Sequence, residues 1–233
     1  MESASPVPLP HSTGSENPDL YPVTREMLHE QIFTILKRNL MMGRFAPGQK
    51  LPLRWLAKSL GTSAMPVRDA LQRLESIGCL VSTPARTMMV PVLSVKEQQD
   101  ISRLRVLLES EAVAAAATAR SEQQLATLAS CCADIRRSAD TADLDLFLEA
   151  NYRFHMEIAE ASGISFIASL LEPLWMRIGP LVRMSTPDHA HILRSVGFHE
   201  KVYDAIIARN AEAARIAITA DIIESNMPIA AEE

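Results

Sequence analysis

Residues 53–90 constrain the chain most, because their apolar spacing, their glycines and Pro66 fit few arrangements. Leu53, Leu56, Ala57 and Leu60 recur at helical spacing, and Gly61 follows where a helix end favours a left-handed residue. Thr62 and Ser63 offer an N-cap, and Pro66 falls in the first turn, where a missing N–H costs nothing. Val67, Ala70, Leu71, Leu74 and Ile77 then make one apolar stripe ended by Gly78, with Arg68, Gln72 and Arg73 on the opposite face. Residues 80–82 and 88–90 read as short strands around Thr83-Pro84-Ala85-Arg86-Thr87, a hairpin with a basic tip. Helix, tight turn, helix and hairpin predict a winged helix-turn-helix. Its second helix would enter a DNA major groove while the tip reaches adjacent backbone or minor groove. A helical hairpin that only supports a core has the same periodicity, so spacing alone does not decide between them.

Charge favours the DNA reading once it is divided along the chain. The net charge is −5, which as one number argues against a phosphate partner. Residues 1–24 hold three acids and no Lys or Arg, residues 25–91 hold ten basic against four acidic residues, and the remainder holds thirteen against twenty-one. A basic module on an acidic body is the asymmetry expected when only one part meets nucleic acid.

Residues 1–24, rich in Pro and Ser, predict an extended or disordered tail. Leu28, Ile32, Ile35, Leu36 and Leu40 predict a supporting helix that ends at Gly43, and Pro47-Gly48 a turn leading into Lys50-Leu51-Pro52. The DNA-binding module thus spans 25–91 and a linker 92–94, where Ser94 and Glu97 form a capping-box pattern. Beyond it the pattern is helical, roughly over 95–119, 121–139, 143–162, 164–184, 189–209 and 211–226, with no strand alternation and a short tail at 227–233. The fold class is mainly α: a winged helix-turn-helix with a small β-hairpin wing, then an antiparallel all-helical bundle with any ligand site in its interior.

Cys79 and the adjacent pair Cys131 and Cys132 are odd in number and do not form a disulfide framework, so reduced thiols in a cytoplasmic protein fit best. The pair could bind a soft metal or sense oxidant, but buried helix positions explain it more simply. No signal peptide or membrane-length apolar run is present. No nucleophile elbow, Walker loop, Rossmann glycine set or zinc-protease helix occurs, so recognition rather than catalysis is the chemistry to explain.

Three strings add specificity: Gly43-Arg44-Phe45-Ala46-Pro47-Gly48-Gln49-Lys50-Leu51, Leu53-Arg54-Trp55-Leu56-Ala57 and Pro66-Val67-Arg68-Asp69-Ala70-Leu71-Gln72-Arg73-Leu74-Glu75. Together they resemble the DNA-binding domain of the GntR family of bacterial transcription regulators over residues 28–90. The resemblance implies DNA contacts at Arg54, Ser63, Ala64, Met65, Arg68 and the wing residues Arg86 and Thr87. Arg54 and Arg68 can pair bidentately with guanine or clamp phosphate, and Ser63 can bond phosphate at a helix N-terminus. The plain alternative is that both arginines merely solvate a face. Two departures stand out: Ala64 occupies a usual Arg position, and Thr87 the place of a common wing glycine. Base preference should differ accordingly.

The later helices resemble the FCD effector domain of the FadR subfamily. The matching strings are Arg105-Val106-Leu107-Leu108-Glu109, Asn151-Tyr152-Arg153-Phe154-His155 with Ala161-Ser162-Gly163, and Phe198-His199-Glu200 with 205–210. The resemblance implies a divalent metal held by Asn151, His155, His199 and Asp221, the last in place of a usual His. Relative to the family's carboxylate and three imidazoles, Asn151 and Asp221 trade places as amide and carboxylate, which keeps the ligand charge at −1. One imidazole fewer shifts preference from zinc or nickel toward harder ions such as manganese. Arg105 can meet a carboxylate effector or pair with Glu109 one turn on. Effector contacts are thus expected at Arg105, Asn151, His155 and His199. The expected protein is a homodimer that binds double-stranded operator DNA under control of a small organic acid. The rival is a metal-dependent enzyme on a helical bundle with an incidental basic module.

Overall fold

The computed structural model describes residues 26–185 and 189–225. The tails expected at 1–24 and 227–233 lie outside the described residues. α1 (Glu26–Met41) leads to β1 (Lys50–Leu51), then α2 (Leu53–Ser59) and α3 (Ala64–Ser76). β2 (Val81–Ser82) and β3 (Met88–Met89) complete a three-stranded sheet of order β1-β3-β2. Both pairings are antiparallel: Lys50 faces Met89 across β1 and β3, and Val81 faces Met89 across β2 and β3. α3 buries Val67, Ala70, Leu71 and Leu74 against Ile32, Leu36 and Leu40 of α1, with Leu51, Leu80 and Val90 closing the core beside them. A fully buried Leu of this kind stabilises by about 1.5–3 kcal/mol.

Six helices follow: α4 (Val95–Ala119), α5 (Glu122–Thr141), α6 (Leu144–Ala161), α7 (Ile167–Ser185), α8 (His189–Ile207) and α9 (Ala211–Ser225). Their starts are local chemistry. Ser94 and Glu97 form the expected capping box, Ser121 and Gln124 form a second, and Asp143 accepts from the Leu146 N–H at 3.0 Å. α4 packs along α9 and across α6, and α5 lies against α6 and α8. The buried side chains include Trp175, Phe147, Phe154, Leu128 and Ile135.

α7 also packs on α1, and there two backbones meet. A Cβ on Gly179 would collide with the carbonyls of Leu40 and Met41, and one on Gly43, already left-handed at φ 60°, would collide with the Gly179 carbonyl. Lys37 pairs with Glu172 at 2.6 Å across the same joint, and Arg38 pairs with Glu149 of α6.

Three details differ from expectation. Lys50 and Leu51 form a strand, not only a turn exit, because Met88 and Met89 pair with them. Arg73 does not stand on the DNA-facing side: its guanidinium lies 3.8 Å above the Phe33 ring and pairs with Glu30 at 2.5 Å. In the wing, the left-handed residue is Arg86 (φ 58°), not Thr87. Pro84, Ala85 and Arg86 close a three-residue hairpin loop, with Arg86 N–H donating to the Thr83 carbonyl at 2.8 Å and Thr83 N–H to that of Thr87 at 2.9 Å. That loop type places its strained residue last, where glycine is preferred.

Candidate nucleic-acid interface and candidate metal centre

α2, α3 and the wing enclose an open cleft of about 720 Å³. Arg54, Arg68, Gln72, Arg86 and Thr87 line it, so four predicted contact residues come together. The side chains of Arg54, Arg68 and Arg86 have no ion-pair partner among the described residues, so their charge is available to phosphate or base. Ser63, Ala64 and Met65 stand outside the cleft on the exposed first turn of α3. Ser63 is the backbone N-cap, but its hydroxyl makes no capping bond. Met65 is 64% exposed, an apolar side chain presented at the tip of the helix. Trp55, next to Arg54 in α2, is 49% exposed but does not line the cleft.

The second site lies inside the bundle. Arg105 and Glu109 come from α4, Asn151 and His155 from α6, His199 from α8 and Asp221 from α9, and all six are buried. His155 Nδ1 is 2.5 Å from Glu109 Oε2, so its Nδ1–H donates outward and Nε2 points to Asp221 Oδ2 at 3.2 Å. In His199, Nδ1 lies 2.8 Å from the Ser195 carbonyl and Nε2 2.8 Å from Asn151 Oδ1. The Ser195 hydroxyl also lies 3.3 Å from Nδ1, and Asp221 Oδ1 3.6 Å from it. His199 protonated on Nε2 donates to Asn151 Oδ1 while Nδ1 accepts from Ser195, and the other tautomer frees Nε2 for a cation. One ligand atom each from His155, His199 and Asp221 lies within 4.8 Å of the others. Asp221 Oδ1 is buried with no hydrogen-bond partner. Two imidazoles, one of them anchored to Glu109, and a carboxylate oxygen without a hydrogen bond fit a divalent ion.

Electrostatics tie these groups together. Burial opposes charge on His155, but the Glu109 and Asp221 carboxylates outweigh it and raise its pKa. Burial raises the Glu109 and Asp221 carboxyls, yet their neighbours outweigh it, Arg105 and His155 for the first and the adjoining His199, the His155 hydrogen bond and Arg105 for the second, and both are held low. His199 goes the other way, since burial dominates and lowers it. Without metal these directions favour the charged forms of Glu109, His155 and Asp221 and work against charge on His199.

Arg105 makes the expected pair with Glu109. Its Nε donates to Glu109 Oε1 at 2.6 Å, and its guanidinium lies 4.0 Å above the Trp175 ring. Glu109 and Trp175 were missed as site residues. The spacing from Arg105 to Glu109 marks a pair, but nothing local reveals that the other Glu109 oxygen reaches His155. Cys131 is buried and Cys132 half-buried, with burial pushing the Cys132 thiol up to about 12, so neither is a poised thiolate. The metal-ligand cluster found among the described residues does not include them.

Residues 28–90 match the profile of bacterial regulatory proteins of the gntR family, and residues 100–223 that of the FCD domain. The chain is 30% identical over 216 residues to the HTH-type transcriptional regulator McbR of Escherichia coli K12, covering 89% of this chain and 96% of the relative. The structure of E. coli McbR/YncC superposes with a TM-score of 0.80 at 28% identity, covering 84% of this chain and 93% of that one. A GntR structure from Rhodococcus sp. RHA1 shares the fold at 20% identity, with a TM-score of 0.73 and coverage of 86% and 96%.

Proposed function

The chain belongs to the GntR family of bacterial regulatory proteins, and from that premise we propose that its FCD domain holds a divalent ion and a small carboxylate effector that together reset operator affinity. It is a DNA-binding transcription regulator with a winged helix-turn-helix and a helical effector domain. The rival reading as a metal-dependent enzyme has no support, since the relatives are transcription regulators.

One observation carries the metal reading: His155, His199 and Asp221 converge in a buried centre, with His155 anchored to Glu109 through Nδ1 and Asp221 Oδ1 left without a hydrogen bond. Asn151 supplies a fourth donor. The ion would act there as a Lewis acid with positions open to an oxygen ligand. Binding it requires His155 to give up its proton, since a ligating imidazole is neutral. The centre would then carry Arg105⁺, Glu109⁻, Asp221⁻ and the doubly charged ion, one positive charge in excess. That excess favours an anion, and a carboxylate matches both the ion and Arg105. On the DNA side Arg54, Arg68, Arg86 and Thr87 would read double-stranded operator DNA from the cleft, with Ser63 and Met65 at the helix tip. A homodimer on an inverted repeat fits a single reader of this size, and exposed Leu104, Leu107, Ile216 and Ile223 on α4 and α9 are apolar surface for a second copy to cover. Operator binding implies a cytoplasmic protein; among the described residues no helix is long and apolar enough to cross a membrane.

The test is calorimetric titration of metal-stripped protein with zinc, nickel and manganese, alongside mobility shifts on the DNA next to its gene, with and without metal. Binding of at least one ion with release of about one proton is expected. No binding at millimolar metal would leave the centre to the effector alone.

A further inference from the structure

We infer that Arg177, a side chain of the effector domain, is a positioning residue for the DNA reader, and that α7 transmits the state of the buried centre to it. The inference rests on the regulator reading above.

Arg177 donates from Nε to the Gly78 carbonyl at 3.0 Å and from Nη2 to the Ile77 carbonyl at 2.7 Å. Ile77 is the C-cap of the recognition helix α3, and Gly78 is the left-handed residue that ends it (φ 70°). The last carbonyls of a helix lack intrahelical partners and carry its negative dipole end, so a guanidinium there makes two charge-assisted bonds. The left-handed φ favours glycine at Gly78, and a Cβ there would also push the Arg177 guanidinium off its carbonyls.

Two residues earlier on α7 stands Trp175. Residues two apart on a helix project to nearly opposite sides. Trp175 is buried under the Arg105 guanidinium, with its ring 5.0 Å from that of His155, while Arg177 faces α3. One helix therefore forms the wall of the centre and the clamp on the reader. Pro173 and Pro180, both inside α7, bracket this segment and remove two intrahelical donors. The Ser169 and Met176 carbonyls thus lose their intrahelical donors, which loosens α7 at both ends of this segment and leaves its position more to what it touches on either side. Whatever changes the packing of Trp175 on Arg105 and His155 shifts the clamp on Ile77 and Gly78.

The test is a mutant cycle on DNA enriched from a random pool by the full wild-type chain; failure of that enrichment would count against the regulator reading itself. Anisotropy titrations then compare wild type, Arg177→Ala, Trp175→Phe and the double variant, each checked for helicity and melting. Arg177→Ala is expected to weaken binding about tenfold, and Arg177→Lys, which keeps the charge, to recover part of it. The salt dependence of binding should keep its slope, because no phosphate contact is lost. Trp175→Phe should shift affinity by about threefold or more in wild type and by under about twofold in the Arg177→Ala background. Additive effects, or no effect of Trp175→Phe on DNA, would overturn transmission through α7. A slope lower by about one would overturn positioning, by making Arg177 a direct phosphate contact. Should Arg177→Ala fail to fold, Arg177→Gln takes its place in the cycle.

Discussion

Replacing Glu109 by Gln tests the charge balance of the buried centre. The substitution keeps shape and one hydrogen-bond acceptor but removes the negative charge shared by Arg105 and His155. Leaving a buried charge without its partner costs about 3–5 kcal/mol. The centre has a cheaper escape, because His155 can release its proton and restore neutrality. A tenfold change in proton affinity is worth about 1.4 kcal/mol, so a net loss of about 2–3 kcal/mol at pH 7 is expected. The pH profile of the metal-free protein separates the two contributions. His155 is raised from 6.5, so its contribution is complete below that value and is lost as pH rises through its folded value. Glu109 is lowered from 4.5, so its contribution is present above that value and is lost as pH falls through its folded value. His199, lowered from 6.5, costs stability as pH falls below that value, so wild-type stability in EDTA should peak near about pH 6.5 and decline above, with Glu109→Gln lower and flatter on the alkaline side. Urea midpoints across pH 4–9 measure both curves. A wild-type midpoint that climbs steadily from pH 6 to 8, in parallel with the variant, would mean that His155 is neutral and the charge assignment wrong.

Other outcomes follow from the same geometry. Arg68→Ala in a folded protein should cost about 1–3 kcal/mol of operator binding if it reads a base, and unchanged affinity removes it from the reader. His199→Ala should abolish calorimetric metal binding while leaving DNA binding by the metal-free protein; a variant that still takes up zinc with wild-type affinity would place the ion elsewhere. Gly179→Ala sets two effects against each other. Alanine gains about 1 kcal/mol of helix propensity, but its Cβ collides with the rigid carbonyls of Leu40 and Met41, and overpacking of this kind costs about 1–3 kcal/mol. The collision is with backbone, so a lower melting temperature is expected, and a higher one would show that the joint yields.

What could be read from the sequence was what neighbouring residues settle among themselves. The stripe Val67, Ala70, Leu71, Leu74 and the Ser94–Glu97 capping box are i-to-i+3 or i+4 relations, and the structure keeps them. β1 escaped because two residues have no periodicity, and only their pairing with Met88 and Met89 makes them a strand. Arg73 was misplaced for a related reason: a helical wheel gives its angle but not that Phe33 and Glu30 of α1 lie there to receive it. At the centre, the resemblance supplied Asn151, His155, His199 and Asp221, and the fold brings them together. Glu109 and Trp175 are defined by contacts with distant helices, which no local spacing encodes.

The centre is assembled from α4, α6, α8 and α9, and Glu109 and Asp221 lie at opposite ends of the bundle's sequence. During synthesis, α1 to α3 and the wing leave the ribosome long before α9 exists. The DNA reader can thus fold first, while the centre closes only when α9 docks along α4. A chain interrupted before Asp221 would keep its arginine cleft but lose both the centre and the α9 surface offered to a second copy, so a stop codon there would yield a weakened reader without control.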